Sequence, residues 1–276
     1  MTGRGDTDQT VPRILVVAGS DSGGGAGIQA DIKTVTALGG FAMTAVTAIT
    51  AQNTLGVQQV WPVSAVAVKA QMQSVLSDIG ADAVKTGMLG SAAQVETVGE
   101  VMAELAPTIP CIVDPVLFST SGRRLTDPPA FDALMSVLLP GISLITPNAP
   151  EAEAMTGTSV DSIDGMRRAA EALLERGAKA ALVKGGHLEG DMLYDVLQTV
   201  DGEWIYEDRR IETRATHGTG CTLASAAATG MGRGLDLSDC VMQARQYLRR
   251  AIEQAIMLGS GFGPVNHAWA QQPRKM

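Results

Sequence analysis

Arg13-Ile14-Leu15-Val16-Val17-Ala18, then Gly19-Ser20-Asp21-Ser22-Gly23-Gly24-Gly25-Ala26-Gly27, then Ile28 to Leu38 in helical register: this stretch decides the fold class. The unbroken apolar run, rich in β-branched residues, reads as a strand buried on both faces. The glycines let the chain turn sharply and approach a ligand without Cβ interference. Strand, glycine loop and helix make the layout of a phosphate loop. Yet no Gly-Lys-Ser/Thr closes it, and Ile28 stands where Gly23-x-Gly25 would need a third glycine. Neither the P-loop nor the dinucleotide fingerprint is present.

Outward from this unit the alternation continues. Strand candidates are Phe41–Thr50, Val57–Trp61, Ala81–Lys85, Cys111–Pro115, Ser143–Thr146 and Ala180–Lys184, and helical patterns separate most of them. Ser64 is positioned to cap one helix, and Gly177 to stop another. Asp201-Gly202 between Met192–Val200 and Trp204–Ile211 signals a hairpin. The pattern predicts an α/β fold with a mostly parallel central sheet and helices on both faces. No repeat or composition break divides it. The expectation is an N-terminal tail over 1–12, one domain over 13–267 and a C-terminal tail over 268–276.

Composition narrows the classes of function. The 276 residues carry a net charge of −8 and only 4% aromatics, which argues against nucleic acid or an anionic membrane as partner. Three widely spaced cysteines without a Cys-x-x-Cys pair, and three histidines, argue against a disulfide framework or a zinc site. Met1 to Pro12 is polar and Ile14–Ala18 is too short for a span, so a cytoplasmic protein is expected.

In a parallel sheet, ligands collect outside the carboxyl ends of the strands. Ser20-Asp21, Gln52-Asn53, Lys85-Thr86, Asp114, Asn148 and Lys184 end the strand candidates and converge on one edge, together with Thr216-His217-Gly218-Thr219-Gly220-Cys221-Thr222. This last stretch opens a helix of small residues. The free N–H groups and positive dipole end of that helix suit a phosphate, and a thiolate at Cys221 is favoured at such a place. A plain glycine-rich connection is the ordinary reading. Asp114 with Asn148 and Glu151 offers oxygen ligands suited to Mg²⁺, although Asn-x-x-Glu is also a helix-capping pattern. Lys184 before Gly185-Gly186 can hold a nucleotide phosphate or be a surface lysine. Asp31 can turn to the loop and a substrate hydroxyl, or to solvent. Gln52 offers paired donor and acceptor groups to a heterocycle, and Met88 a surface for a flat ring or core filling. His187 and His217 read as hydrogen-bonding structural residues ahead of acid–base groups.

Taken together, Ala18–Asp31, Thr47–Thr54, Lys85–Leu89, Val113–Val116, Thr146–Ala152, Val183–His187, Thr216–Thr222 and Gly263–His267 closely resemble, in unbroken order, the hydroxymethylpyrimidine/phosphomethylpyrimidine kinases of thiamine biosynthesis. The resemblance implies a three-layer ribokinase-like fold, a homodimer, and ATP- and Mg²⁺-dependent phosphorylation of a hydroxymethyl aminopyrimidine and then of its monophosphate. By the same resemblance, Asp31 holds the acceptor hydroxyl region, Gln52 pairs with the pyrimidine edge, and Gly19 and Met88 line the ring pocket. Asp114, Asn148 and Glu151 organise Mg²⁺ and its waters. Lys184 contacts ATP phosphates, with Thr216 and Asn148 on the nucleotide side. Gly218, Thr219 and Gly220 form an anion hole with Cys221 as base. A cysteine there resembles the pyrimidine-kinase branch, where many sugar kinases of the fold have aspartate.

One departure stands out. The family usually places a lysine before the Ser-Gly turn, where this chain has Thr120 ahead of Ser121-Gly122, leaving Arg123 or Arg124 to reach the phosphates. Two other readings stay open on the sequence. One is a pyridoxal kinase of the same fold, and the other is a pyrimidine-binding sensor without turnover.

Overall fold

The computed structural model describes residues 11–119, 122 and 124–271. In chain order the elements are β1 (Arg13–Asp21), α1 (Gly27–Ala37), β2 (Phe41–Asn53), β3 (Gly56–Pro62), α2 (Ala65–Asp78), β4 (Ala83–Thr86), α3 (Ala92–Leu105), β5 (Cys111–Val113) and α4 (Pro128–Ala133). There follow β6 (Leu144–Ile145), α5 (Ala149–Thr156), α6 (Ile163–Glu175), β7 (Ala180–Lys184), β8 (Met192–Thr199), β9 (Glu203–Arg209), α7 (Thr219–Gly232) and α8 (Leu237–Glu253). A π-helical turn over Leu134–Leu138 extends α4.

Among the described residues the nine strands join one sheet in the order β3-β2-β1-β4-β5-β6-β7-β8-β9. The inner pairings from β2 to β7 are parallel. β3 at one edge, and β8 and β9 at the other, run antiparallel. The β8–β9 hairpin turns at Asp201-Gly202, as their chemistry requires.

The apolar run of β1 feeds two cores. Leu15 and Val17 pack on the side of α2, α3, α5 and α6, with Met72, Val98, Met155 and Leu173. Ile14, Val16 and Ala18 pack on the other side, with Val35 of α1, Leu223 and Ala227 of α7, and Val241 and Tyr247 of α8. Alternate side chains point to opposite faces, so a strand covered on both sides must be apolar throughout. Each fully buried Leu, Ile or Val contributes about 1.5–3 kcal/mol by leaving water.

The small residues of α7 have a matching cause. This helix is buried continuously from Thr222 to Gly230, between the sheet, α1 and α8. A Cβ on Gly230 would lie 2.9 Å from Cys240 Sγ on α8. Only small side chains allow such close approach, and a bulky residue at Gly230 would force the two helices apart. After α8 the chain returns across the molecule. Its last described turn, Trp269–Gln271, sets the Trp269 ring 6.0 Å from that of Tyr247. Among the described residues no helix is long and apolar enough to cross a membrane.

Candidate active site

The carboxyl ends of the parallel strands open into a cavity of about 740 Å³. Gly19 and Ser20 reach it from β1, Gln52 from β2 and Met88 from the segment after β4. Asp114, Asn148, Glu151 and Lys184 reach it from the ends of β5, β6 and β7, and Thr216 through Cys221 from the start of α7. Twelve of the thirteen residues singled out from the sequence therefore meet in one space, and Asp31 is the exception.

The start of α7 is held against the glycine loop. Gly218 is its N-cap, with φ 82° and ψ 9°. A side chain there would be strained in the left-handed region and would overlap the carbonyl of Gly25. On its other side the same turn faces an ion pair: a Cβ on Gly220 would be 3.4 Å from both Asp114 Oδ2 and Lys184 Nζ. The first N–H groups of a helix have no partner within it, and here they stand beside Lys184. Thr219 folds back locally, its N–H and hydroxyl donating to Thr216 O at 3.4 and 3.1 Å.

Cys221 differs from the sequence expectation. Burial pushes its thiol up to about 12, with Lys85 opposing the rise and Asp31 and Asp114 adding to it. The helix terminus is outweighed because desolvation penalises the thiolate more than nearby N–H groups reward it.

Lys184 Nζ donates to Asp114 Oδ1 at 3.3 Å, as does Thr146 Oγ1 at the same distance. Asn148 and Glu151 form a complete capping box on α5: Asn148 Oδ1 accepts from Glu151 N at 3.0 Å, and Asn148 N donates to Glu151 Oε2 at 2.9 Å. Glu151 Oε1 also accepts from Leu117 N at 3.2 Å. The ordinary capping role is thus real, and it holds Glu151 rigidly at the cavity wall. Burial raises the Glu151 carboxyl, Lys184 lowers it and Asp114 raises it further. Among the described residues no three His, Cys, Asp or Glu side chains cluster as a metal cage. Two fixed carboxylates, Asp114 and Glu151, still fit Mg²⁺, which keeps most of its waters and takes one or two carboxylates plus phosphate oxygens.

At the opposite end, a Cβ on Gly19 would lie 2.6 Å from Met88 Cε, so glycine lets the thioether lie across the strand end. Gln52 Oε1 is 3.2 Å from Thr50 Oγ1, and its Nε2 is 3.3 Å from His217 Nε2.

The glycine loop winds around a carboxylate of its own. Asp21 accepts from Gly23 N at 2.8 Å, Gly25 N at 2.9 Å and Ala26 N at 2.8 Å, and lies 2.9 Å from His217 Nε2. Burial alone would raise the Asp21 carboxyl, but His217 and these N–H donors hold it below the usual carboxylate range. The N–H groups of Gly23, Gly25 and Ala26, which in a P-loop would cradle a phosphate, are satisfied internally by Asp21. His217 is thus a hydrogen-bonding structural residue, as the sequence favours, whereas the role of Asp21 is absent from the sequence reading although an Asp inside a glycine run signals it.

Asp31 requires correction. It faces neither the cavity nor solvent: it is fully buried beneath the site, with Lys85 Nζ at 3.0 and 3.1 Å and Ser225 Oγ donating at 2.6 Å. Of the loop after β5, Thr120, Ser121 and Arg123 lie outside the described residues. Arg124 donates through Nε to Thr126 O at 2.8 Å. His187 lies at the cavity, lowered by burial, Lys184 and Arg210.

Comparison with known proteins accords with this geometry. The family model for phosphomethylpyrimidine kinase matches residues 21–266. A hydroxymethylpyrimidine/phosphomethylpyrimidine kinase of Streptomyces coelicolor is 49% identical over 261 residues, covering 95% of this chain and 96% of that protein. The thiamine biosynthesis bifunctional protein ThiED of Geobacter sulfurreducens is 44% identical over 94% of this chain and 53% of its own length. Among solved structures, an ADP complex of Bacillus subtilis pyridoxal kinase superposes with a TM-score of 0.87 at 32% identity, covering 95% of this chain and 99% of that one. A family match spanning the glycine loop, the strand-end carboxylates and the start of α7 settles the kinship: the chain belongs to the phosphomethylpyrimidine kinase family.

Proposed function

We propose that the protein transfers the γ-phosphoryl group of ATP to the hydroxymethyl oxygen of 4-amino-5-hydroxymethyl-2-methylpyrimidine. It then phosphorylates the resulting monophosphate to the diphosphate for thiamine biosynthesis. One observation carries the reading. The first turn of α7 touches the glycine loop through Gly218 and the Asp114–Lys184 pair through Gly220, inside a single cavity. An acceptor at Gln52 and a donor at Lys184 would meet at that turn.

Phosphoryl transfer through a loose transition state asks for alignment and charge stabilisation more than covalent chemistry. Gln52 orients the ring edge, and Gly19 and Met88 hold its plane. The N–H groups of Gly218, Thr219 and Gly220 receive the charge of the moving phosphoryl group. Lys184 balances the phosphates, with Asn148 and Thr216 on the nucleotide side. Asp114 and Glu151 would hold hydrated Mg²⁺, which supplies further neutralisation of phosphate charge. Cys221 is placed to take the hydroxyl proton. Because burial keeps the thiol protonated, Cys221 must first give up its own proton to solvent. The Lys85 cation beneath favours the thiolate so formed, which then accepts the hydroxyl proton as the attacking oxygen bonds to phosphorus.

We further infer a homodimer in the cytoplasm. Ile49 and Trp61 pair across the β2–β3 sheet edge and remain 55% and 52% exposed, an apolar surface suited to a second copy. The free cysteines suit a reducing compartment.

The test is a substrate panel of the aminopyrimidine, its monophosphate and pyridoxal, with ATP and Mg²⁺ and product identification by mass. Both pyrimidine products are expected. Absence of both overturns the proposal, and a higher kcat/KM for pyridoxal would favour the pyridoxal kinase reading.

A further inference from the structure

We propose that His217 is a positioning residue that fixes which way round the Gln52 amide faces the cavity, and so which hydrogen-bonding edge of a heterocycle is accepted. The inference rests on the pyrimidine-kinase reading of the site and adds the device that sets its specificity.

The argument is an inventory of protons. Asp21 is a carboxylate that already takes three backbone N–H donors at 2.8–2.9 Å, so it has no proton to offer His217. The nitrogen of His217 at 2.9 Å from Asp21 Oδ2 must therefore carry the hydrogen. That makes Nε2 a donor in the neutral ring and in the imidazolium alike. Gln52 presents one amide terminus 3.3 Å from this same N–H. A second N–H donor there would face the first, leaving both without an acceptor. On the other side, Thr50 Oγ1 donates its single hydrogen to Ser20 O at 2.9 Å and offers only a lone pair to the amide terminus 3.2 Å away.

Both neighbours make the same demand. Oxygen, in place of nitrogen, belongs at the terminus beside His217, and the amide NH₂ belongs beside Thr50. In that orientation no donor faces another donor. The acceptor that remains for a ligand lies on the His217 side, and the donor on the Thr50 side.

The consequence is a direction of reading. A ring with an amino donor beside a ring-nitrogen acceptor, as in a 4-aminopyrimidine, pairs with both groups when its amino group lies toward His217. The 4-oxo analogue, 5-hydroxymethyl-2-methylpyrimidin-4-one, presents a carbonyl acceptor and an N–H donor in the same two places and meets like against like. Such a mismatch leaves buried polar groups unpaired and is rejected strongly. The chain from His217 through Asp21 to the glycine-loop N–H groups is thus a lock on the amide.

Two measurements test it. The first is the tautomer of His217 by ¹⁵N NMR in the intact protein, above the pH at which the ring is charged, with the signal assigned by His217→Gln. The Nε2–H form is expected, and an Nδ1–H form overturns the proposal. The second is the preference for the amino over the 4-oxo compound, read both as kcat/KM and as ligand-induced Tm shift. The native protein should prefer the amino compound by on the order of 100-fold or more. His217→Ala, which frees the amide to turn, should cut that preference about tenfold or more. His217→Gln, which can place an N–H where Nε2 was, should keep it within about threefold of native. An undiminished preference in His217→Ala, or a preference lost equally in both variants, overturns the proposal. If the native protein phosphorylates neither compound, the kinase assignment fails, while the tautomer and the binding preference still decide the role of His217.

Discussion

Lys85 Nζ lies 3.0 and 3.1 Å from the two carboxylate oxygens of Asp31, and neither side chain touches solvent. The pair joins the middle of the sheet to α1 directly beneath the start of α7, where Ser225 Oγ adds a 2.6 Å hydrogen bond. Burial would pull the Lys85 ammonium down, but Asp31, Cys221 and Asp114 carry it above its ordinary range.

A buried ion pair tolerates joint replacement better than the loss of one member, which strands a charge without water or partner. Lys85→Met or Asp31→Asn should each destabilise the protein by about 3–5 kcal/mol in urea unfolding. The double variant Lys85→Met/Asp31→Leu should recover most of that loss. If the single variants cost less than about 1 kcal/mol, the pair is not held in the charged form described.

This pair also shows where sequence reading stopped. The alternation of strands and helices, the convergence of strand ends and the caps at Ser64 and Asn148 follow from local chemistry, and the structure has all of them. The family resemblance implies Asp31 at the acceptor hydroxyl, while its position after a glycine loop leaves both the loop and solvent open to it. A helical pattern alone would turn Ile32 inward and Asp31 outward, yet Ile32 is 37% exposed and Asp31 is buried. The cause is Lys85, 54 residues away in a strand covered on both faces. No local window contains that cause, although a lysine in a central strand signals a buried partner. Cys221 is similar: the helix start is legible in sequence, whereas the desolvation that governs its thiol exists only once the layers close.

The thiol of Cys221 should behave as a protonated group through the physiological range. It lines the cavity, whereas Cys111 and Cys240 are buried in the cores, so alkylation of the native protein should begin at Cys221. With the thiol pushed up to about 12, the labelling rate should rise about tenfold per pH unit from pH 7 to 10 without a plateau. A plateau near pH 7 would show a resident thiolate. Cys221→Ala should lower kcat far more than it raises KM for the pyrimidine, and near-normal turnover would pass the proton to another acceptor.

Gly220→Ala separates folding from function. Gly220 lies in the first turn of α7 without positive φ, and its Cβ would meet Asp114 and Lys184 at 3.4 Å, an ordinary contact. Alanine is up to about 1 kcal/mol better than glycine in a helix interior, so Tm should hold or rise slightly. The added methyl nevertheless occupies space beside the Asp114–Lys184 pair. A fall in kcat/KM for ATP of about tenfold or more, at unchanged Tm, is expected if the transferring phosphate passes there. Unimpaired ATP use would move the phosphate elsewhere.

His267 sets the acid limit. Its ring is buried, and burial together with Lys33 lowers it from 6.5 to about 4. Its Nε2 lies 3.0 Å from Thr222 Oγ1 on α7, and its carbonyl accepts from Tyr247 OH at 2.9 Å on α8, so the ring fastens the returning segment to α7 and the backbone fastens it to α8. The sign follows from proton uptake. Below pH 6.5 the unfolded chain protonates this histidine and the folded one does not, so folding becomes less favourable as pH falls. The contribution is complete above about pH 6.5 and is lost progressively down to about pH 4. A shift of that size corresponds to roughly 3 kcal/mol. His187 is lowered in the same sense but is exposed, so its share is screened by solvent. Urea unfolding at pH 7.5, 6.0 and 5.0 should therefore show falling stability in the native protein. His267→Gln should start lower at pH 7.5 and decline less over the same interval. Parallel declines in the two proteins would move the acid sensitivity to another group.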